Sequence, residues 1–306
     1  MKFNQMFNSV NSKMSNTICG WPRVRIPDAC RDVEIEIGID EAGRGPVLGS
    51  MIYGIAFWPV SMAEEIHKIG FNDSKQLTET TREKLFQKML SHPAIGWVIE
   101  ELSAEMLSTE MLRPSPISLN ALSYDAVVHG LEIIRDAKSE TDPNALPPII
   151  NNVFVDTVGD PDYYKSRLIR CLGDNYGTFT IEKKADATYK VVSAASIVAK
   201  VTRDHLMKEW ECNIKFPVIS RNGKNQEITS DYGSGYPGDP ACVKWLKKNM
   251  DHEKVFLYPN DITRFAWATV KDLVKTESAI EVTWLCDEDE HGDNNATPDL
   301  KNFFGS

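Results

Sequence analysis

The stretch Val33-Glu34-Ile35-Glu36-Ile37-Gly38-Ile39-Asp40-Glu41-Ala42-Gly43-Arg44-Gly45-Pro46 sets the architecture of this chain. Its first seven residues alternate isoleucine or valine with other residues at period two, the mark of a half-buried strand. Two carboxylates, Asp40 and Glu41, close that strand, and a turn with two glycines follows at once. Successive side chains on a regular strand point to opposite faces. The two carboxylates are therefore expected to act together only if Glu41 already belongs to the turn. Adjacent carboxylates repel unless a cation lies between them, and a divalent ion is the natural one. Gly43 and Gly45 let backbone approach a ligand closely, and Arg44 between them adds a cation suited to phosphate. The residues read as a site for metal and phosphate together.

Outward from this stretch, strands are expected near 33–40, 47–58, 95–101, 151–157 and 177–183, with helices between and after them. Thr80-Thr81-Arg82-Glu83 has capping-box spacing and predicts a helix to about Ser91. Further helices are expected over 118–138 and 187–213, and from Pro240, a proline at the first helical position. Strands alternating with helices define an α/β core. Asp156 ends the apolar strand Val153-Phe154-Val155, where a side chain at the sheet edge can enter a site; it also reads as a loop carboxylate. Asp186 stands at the junction of a strand and the long helix, where a plain helix cap is the competing reading.

The 306 residues suffice for one large domain or two small ones. No stretch approaches the roughly 18 to 20 apolar residues that a membrane helix needs. Residues 1–30 lack the apolar core of a secretory signal. They are Ser/Asn-rich, with Lys2, Lys13, Arg23 and Arg25 ahead of any acid, and a disordered leader is expected. The six cysteines form no Cys-x-x-Cys pair and the six histidines no ligand spacing. That pattern suits a reduced intracellular protein and leaves carboxylates to hold any metal, which favours magnesium or manganese. A net charge of −10 is unusual for a nucleic-acid partner, but eight acids against one lysine from Glu277 onward place −7 of it in the tail.

Asp40-Glu41-Ala42-Gly43-Arg44-Gly45-Pro46 resembles the signature of type 2 ribonucleases H, the ribonuclease HII family. Asp73-Ser74-Lys75-Gln76-Leu77, Phe154-Val155-Asp156, Lys184-Ala185-Asp186, the run Ser193 to Asp204, and Gly233-Ser234-Gly235-Tyr236-Pro237 resemble further blocks of that family in its order, over roughly residues 35 to 270. The form is most like the eukaryotic catalytic subunit. The resemblance implies an RNase H-like fold, a mixed five-stranded sheet flanked by helices with a helical C-terminal part; periodicity alone does not separate this from a Rossmann-type sheet. The implied layout is a leader over 1–30, a catalytic domain over 31–275 and an acidic tail over 276–306.

The implied activity is hydrolysis of the RNA strand of RNA/DNA hybrids and incision 5′ of single ribonucleotides in duplex DNA, leaving 3′-OH and 5′-phosphate ends. The catalytic residues implied are Asp40, Glu41, Asp156 and Asp186, as ligands of two Mg2+ or Mn2+ ions. Gly43, Arg44 and Gly45 would grip the ribose 2′-OH and phosphate, and Tyr236 would stack at the RNA-to-DNA junction; by itself Tyr236 is a loop aromatic. Lys75, Asn120, Lys184 and Arg203 are candidate backbone contacts, and each also reads as an ordinary surface charge or polar group. The eukaryotic likeness implies a nuclear heterotrimer with two non-catalytic subunits, for which the strand-like Ala279 to Leu285 suits an interface. In the tail, Leu300, Phe303 and Phe304 share one face of a helical turn, similar to a sliding-clamp-binding box in which Thr297 stands for the usual glutamine. Docking back onto this protein or a sister subunit is the alternative. A non-catalytic hybrid-binding scaffold is the rival from another class, and the presence of all four carboxylates argues against it.

Overall fold

A computed structural model describes residues 15–71, 77–139, 142, 144–157, 159–173, 176–213, 218–219, 225–226, 231–249 and 261–276. Lys75, the segment 279–285 and the tail residues Leu300, Phe303 and Phe304 lie outside them. Short strands β1 (Thr17–Ile18), β2 (Trp21–Pro22) and β3 (Val24–Arg25) precede the long strands β4 (Glu34–Ala42), β5 (Met51–Pro59), β6 (Gly96–Leu102), β7 (Ile149–Asp156) and β8 (Thr178–Glu182). The main sheet runs in the order β3-β6-β5-β4-β7-β8. β3, β6, β5 and β4 are mutually antiparallel neighbours, and β7 and β8 continue parallel to β4. This is the expected mixed five-stranded sheet, widened by a two-residue edge strand.

Helices α1 (Ala63–His67), α2 (Glu79–Ser91), α3 (Ala104–Leu112), α4 (Leu119–Arg135) and α5 (Pro161–Leu172) precede α6 (Ala185–Thr188), α7 (Lys190–Asn213), α8 (Pro240–Asn249) and α9 (Ala268–Thr276). Ile35, Ile37 and Ile39 of β4 bury against α4 and α5 on one face of the sheet. The other face buries Ile52, Ala56 and Trp58 under α7 and α2. The small residues of α7 matter here. A Cβ on Gly54 would lie 2.3 Å from the Ala195 carbonyl oxygen, and one on Gly38 would meet Val191 backbone at 2.2 Å. Glycine on the strands and alanine on the helix let their backbones touch, and that contact carries α7 across the carboxylate end of β4.

Three expectations shift. α2 is capped by Thr78, whose side chain accepts a hydrogen bond from Thr81 N, two residues ahead of the expected box. The second strand begins at Met51, not 47, because Val47 to Gly49 bond instead to the C-terminal part: Val47 N to Gly235 O at 2.8 Å and Gly49 N to Ile262 O at 2.7 Å. From residue 15 the supposed leader belongs to the fold. Trp21 and Cys30 are buried, and Arg25 donates to the carbonyls of Met89, Leu90 and His92, closing the C-terminus of α2. Two-residue strands leave no periodicity for a sequence reading to detect.

Away from the carboxylates, His129 Nδ1 of α4 and Glu100 Oε1 of β6 lie 2.8 Å apart. Burial opposes charging His129, but the hydrogen bond and charge of Glu100 outweigh it and raise its pKa. The stabilisation is thus complete below the unfolded histidine value of about 6.5 and lost as pH rises through the raised folded value. Glu100→Gln is expected to cost about 2 kcal/mol at pH 6 and clearly less at pH 9 in urea unfolding. Equal losses at both pH values would contradict this account.

Candidate active site

β4 continues through Ala42, with Glu41 paired to Tyr53 on β5, so Glu41 is not in the turn. Strand alternation therefore separates the two carboxylates. Asp40 turns toward α7, where Ser196 hydrogen-bonds its carboxylate, and Glu41 turns toward Tyr53, whose hydroxyl pKa burial and the Glu41 charge push upward. The parallel strand β7 brings Asp156 alongside. At the end of β8, Lys184 adopts a left-handed conformation (φ 63°) that reverses the chain into α6 and sets Asp186 against the sheet. Its N–H donates to Asp156 Oδ1 at 2.8 Å, so Lys184 touches the site through backbone while its side chain is exposed.

One oxygen each of Asp40, Asp156 and Asp186 lies within 4.8 Å of the others. Asp40 and Asp186 are buried. Burial first, and the Asp156 charge, push the Asp40 pKa up to about 7, against the hydrogen bonds of Ser196 and the Glu41 N–H and the charge of Lys200. Concentrated acidic oxygen in a buried corner is the donor set of a hard divalent cation, which would relieve that repulsion. The fit to magnesium or manganese is good. Glu41 is outside this trio but lines the two hollows beside it.

The larger hollow, about 280 Å³, is lined by Glu41 to Gly45, Lys200, Arg203, Asp204 and Tyr236. Its floor is the Gly43-Arg44-Gly45 loop. Gly43 has φ +80°, and a Cβ there would stand 2.4 Å from Arg203 Nε and 2.8 Å from Ser50 O. Gly43→Ala is expected to cut turnover at least about 100-fold, since a displacement of about 1 Å at a positioning loop has that effect; activity within threefold of wild type would show that the loop tolerates the shift. Arg44 is held as a fork, Nη1 donating to Ser123 Oγ at 3.1 Å and Nη2 to Asn120 Oδ1. Asn120 thus orients Arg44. Tyr236 is 50% exposed, its ring against Gly45 at the rim. Arg203 lies partly buried behind Gly43 and donates to Leu48 O at 3.3 Å.

Two residues here escaped the sequence reading. Lys200 had a signal: Ser196, Lys200 and Asp204 fall at helical spacing on the face of α7 that meets Asp40. Arg264 had none. It is fully buried and donates to the carbonyls of Gly43 (2.6 Å), Gly49 (2.7 Å) and Arg44 (3.3 Å), while Trp267 Nε1 donates to Gly45 O at 3.2 Å. Burial, then the charge of Arg203, lower the Arg264 pKa to about 9. Turning the loop carbonyls inward onto this guanidinium frees the loop's outer side for a ligand.

A mixed sheet of this order, with acids on the adjacent central strands β4 and β7, a third in the short helix that follows β8, and a long helix across that face, defines an RNase H-like protein. A sequence model of ribonuclease HII matches residues 37–270, and the chain belongs to that family of ribonuclease H enzymes. A ribonuclease H2 subunit from Bos taurus is 38% identical over 280 residues, 91% of this chain and 85% of its own length. The structure of ribonuclease H2 from Pyrococcus horikoshii superposes with a TM-score of 0.60 at 30% identity, covering 79% of this chain and 97% of that one. Ribonuclease HII of Archaeoglobus fulgidus, solved in a complex with PCNA, gives 0.58 at 25% identity over 82% and 99% of the two chains. Among the described residues no helix is long and apolar enough to cross a membrane.

Proposed function

We propose that this ribonuclease H cuts the RNA strand of RNA/DNA hybrids and incises DNA 5′ of single embedded ribonucleotides. The observation that carries this reading is the juxtaposition of the acidic trio with a cationic hollow whose floor is the Gly43-Arg44-Gly45 loop and whose rim is Tyr236. Asp40, Asp156 and Asp186 would hold the Mg2+ or Mn2+ ions, and Glu41, which leaves β4 on the opposite face but lines both hollows beside the trio, would meet them from the hollow side; two such ions when bound activate water and take up charge developing on phosphate oxygens. The loop's outward face and Arg44 receive the ribose 2′-OH and its phosphate, since the 2′-OH distinguishes RNA from DNA. Tyr236 packs on the deoxyribose that follows. Lys200 and Arg203 add positive potential, and Lys75, outside the described residues, is assigned to the same strand. Water attacks phosphorus in line, and the 3′-oxygen leaves with a proton, giving 3′-OH and 5′-phosphate ends.

The eukaryotic relatives are named as one subunit of ribonuclease H2, which motivates a heterotrimer with two non-catalytic subunits. The Archaeoglobus complex motivates clamp binding through Leu300, Phe303 and Phe304. A nuclear address is part of the same proposal. The test is a labelled duplex with one ribonucleotide, incubated with Mg2+ or Mn2+ and the chain alone or with candidate sister subunits. Incision 5′ of the ribonucleotide with a 3′-OH terminus is expected; binding without incision in the reconstituted complex would refute the activity. Deleting residues 297–306 is expected to abolish clamp capture, and undiminished capture would end that assignment.

A further inference from the structure

A second group of aromatics borders Arg44 in a hollow that Tyr236 does not line, and the signature motifs do not include it. The smaller hollow shares Glu41 and Arg44 with the larger one and is lined further by Asn120, Tyr124, Asp156, Thr157, Gly159 and Tyr164. Tyr124 packs against both Tyr164, centroids 4.4 Å apart, and the Arg167 guanidinium, 5.3 Å from its ring. Tyr163 leans on Tyr124 with centroids 6.2 Å apart, yet is 59% exposed. Its backbone is fixed as well, because Asp160, capping α5, accepts from Tyr163 N at 2.8 Å. An exposed ring held from both backbone and side chain loses little entropy when a ligand packs on it. Arg167 and the exposed Arg170 follow at i+4 and i+7, on the same face of α5.

We infer that Tyr163 is a packing platform for a backbone sugar of the substrate strand on the 5′ side of the incision, with Arg170 beside it for backbone phosphate. This rests on the substrate reading above. A strand whose junction deoxyribose packs on Tyr236 and whose scissile phosphate meets the acidic trio reaches the Tyr124 side with its upstream nucleotides. In a duplex the bases are paired and stacked on one another, so the face open to such a ring is that of a backbone sugar, which a tyrosine and a neighbouring guanidinium grip without reading sequence. Tyr163 would be a positioning residue, setting grip and not chemistry.

The experiment compares wild type, Tyr163→Ala and Tyr163→Phe, each reconstituted with the candidate sister subunits, on two duplexes with one ribonucleotide, one complete and one lacking the nucleotides upstream of the position next to the ribonucleotide. On the complete duplex Tyr163→Ala is expected to raise KM about tenfold, the scale of losing one side chain's apolar contact, with kcat within about twofold and the thermal midpoint unchanged. Tyr163→Phe should match wild type, and on the truncated duplex all three should have equal KM. An unchanged KM for Tyr163→Ala, an equal rise on the truncated duplex, or a Phe variant as weak as Ala would overturn the assignment. Wild type incising neither duplex would overturn the substrate reading, and this inference with it; an idle Tyr163 beside an active wild type would overturn this inference alone.

Discussion

Asp40→Asn is expected to abolish incision while making the metal-free protein more stable. The loss should be at least about 100- to 1,000-fold, the scale of removing one preorganised electrostatic group from a reacting centre. The stability gain follows from the sign of the Asp40 shift. Its folded pKa is raised to about 7 by burial and by Asp156, against about 3.9 in an unfolded chain. Below pH 4 both states are protonated and the group contributes nothing. Between pH 4 and 7 the folded state keeps a proton that the unfolded state has lost, so wild-type stability falls as pH rises. The asparagine variant escapes that fall, and at pH 8 in EDTA it should exceed wild type by about 2 kcal/mol or more. Saturating Mg2+ should reverse the order, because a cation that binds only the ionised, folded site stabilises wild type. Urea unfolding at pH 5 and pH 8, with EDTA and with Mg2+, measures all of this. A variant less stable than wild type at pH 8 in EDTA would mean that Asp40 is not a strained anion there.

Arg264→Gln is expected to damage both fold and activity, although Arg264 is buried behind the loop. Its guanidinium satisfies the carbonyls of Gly43, Arg44 and Gly49 and lies 4.8 Å from the Trp267 ring. Glutamine can reach one of those carbonyls at most. Leaving buried acceptors unsatisfied costs about 1–3 kcal/mol each, so a loss of about 3 kcal/mol is expected in denaturant unfolding. The freed loop would no longer present its outer side in fixed geometry, and kcat/KM should drop by about 100-fold or more. Arg264→Lys, which keeps the charge but not the fork, should recover part of the stability and little of the activity. Activity within threefold of wild type for the glutamine variant would show that the loop holds its shape without this arginine.

The sequence alone marked the strand that carries Asp40, and with the family resemblance it singled out the acids that end β7 and follow β8. It also placed the glycine-flanked Arg44 and the long small-residue helix that crosses the sheet. These are local matters: period two makes the strand, 3.6-residue spacing makes the helix, and a carboxylate at a strand end needs no distant partner to be noticed. Tertiary structure decided the rest. Whether Glu41 sits in the strand or the turn depends on how far β5 pairs with β4, and pairing through Ala42 turned it to the opposite face from Asp40. Asn120 came to orient Arg44 because α4 packs on β6, and Tyr163 came to lean on Tyr124, which lines the smaller hollow. Arg264 became the loop's anchor from more than two hundred residues away. A lone arginine between Thr263 and Phe265 has no pattern to read. Its role arises only where folding leaves three carbonyls facing inward, away from water, and a buried cation is what satisfies them.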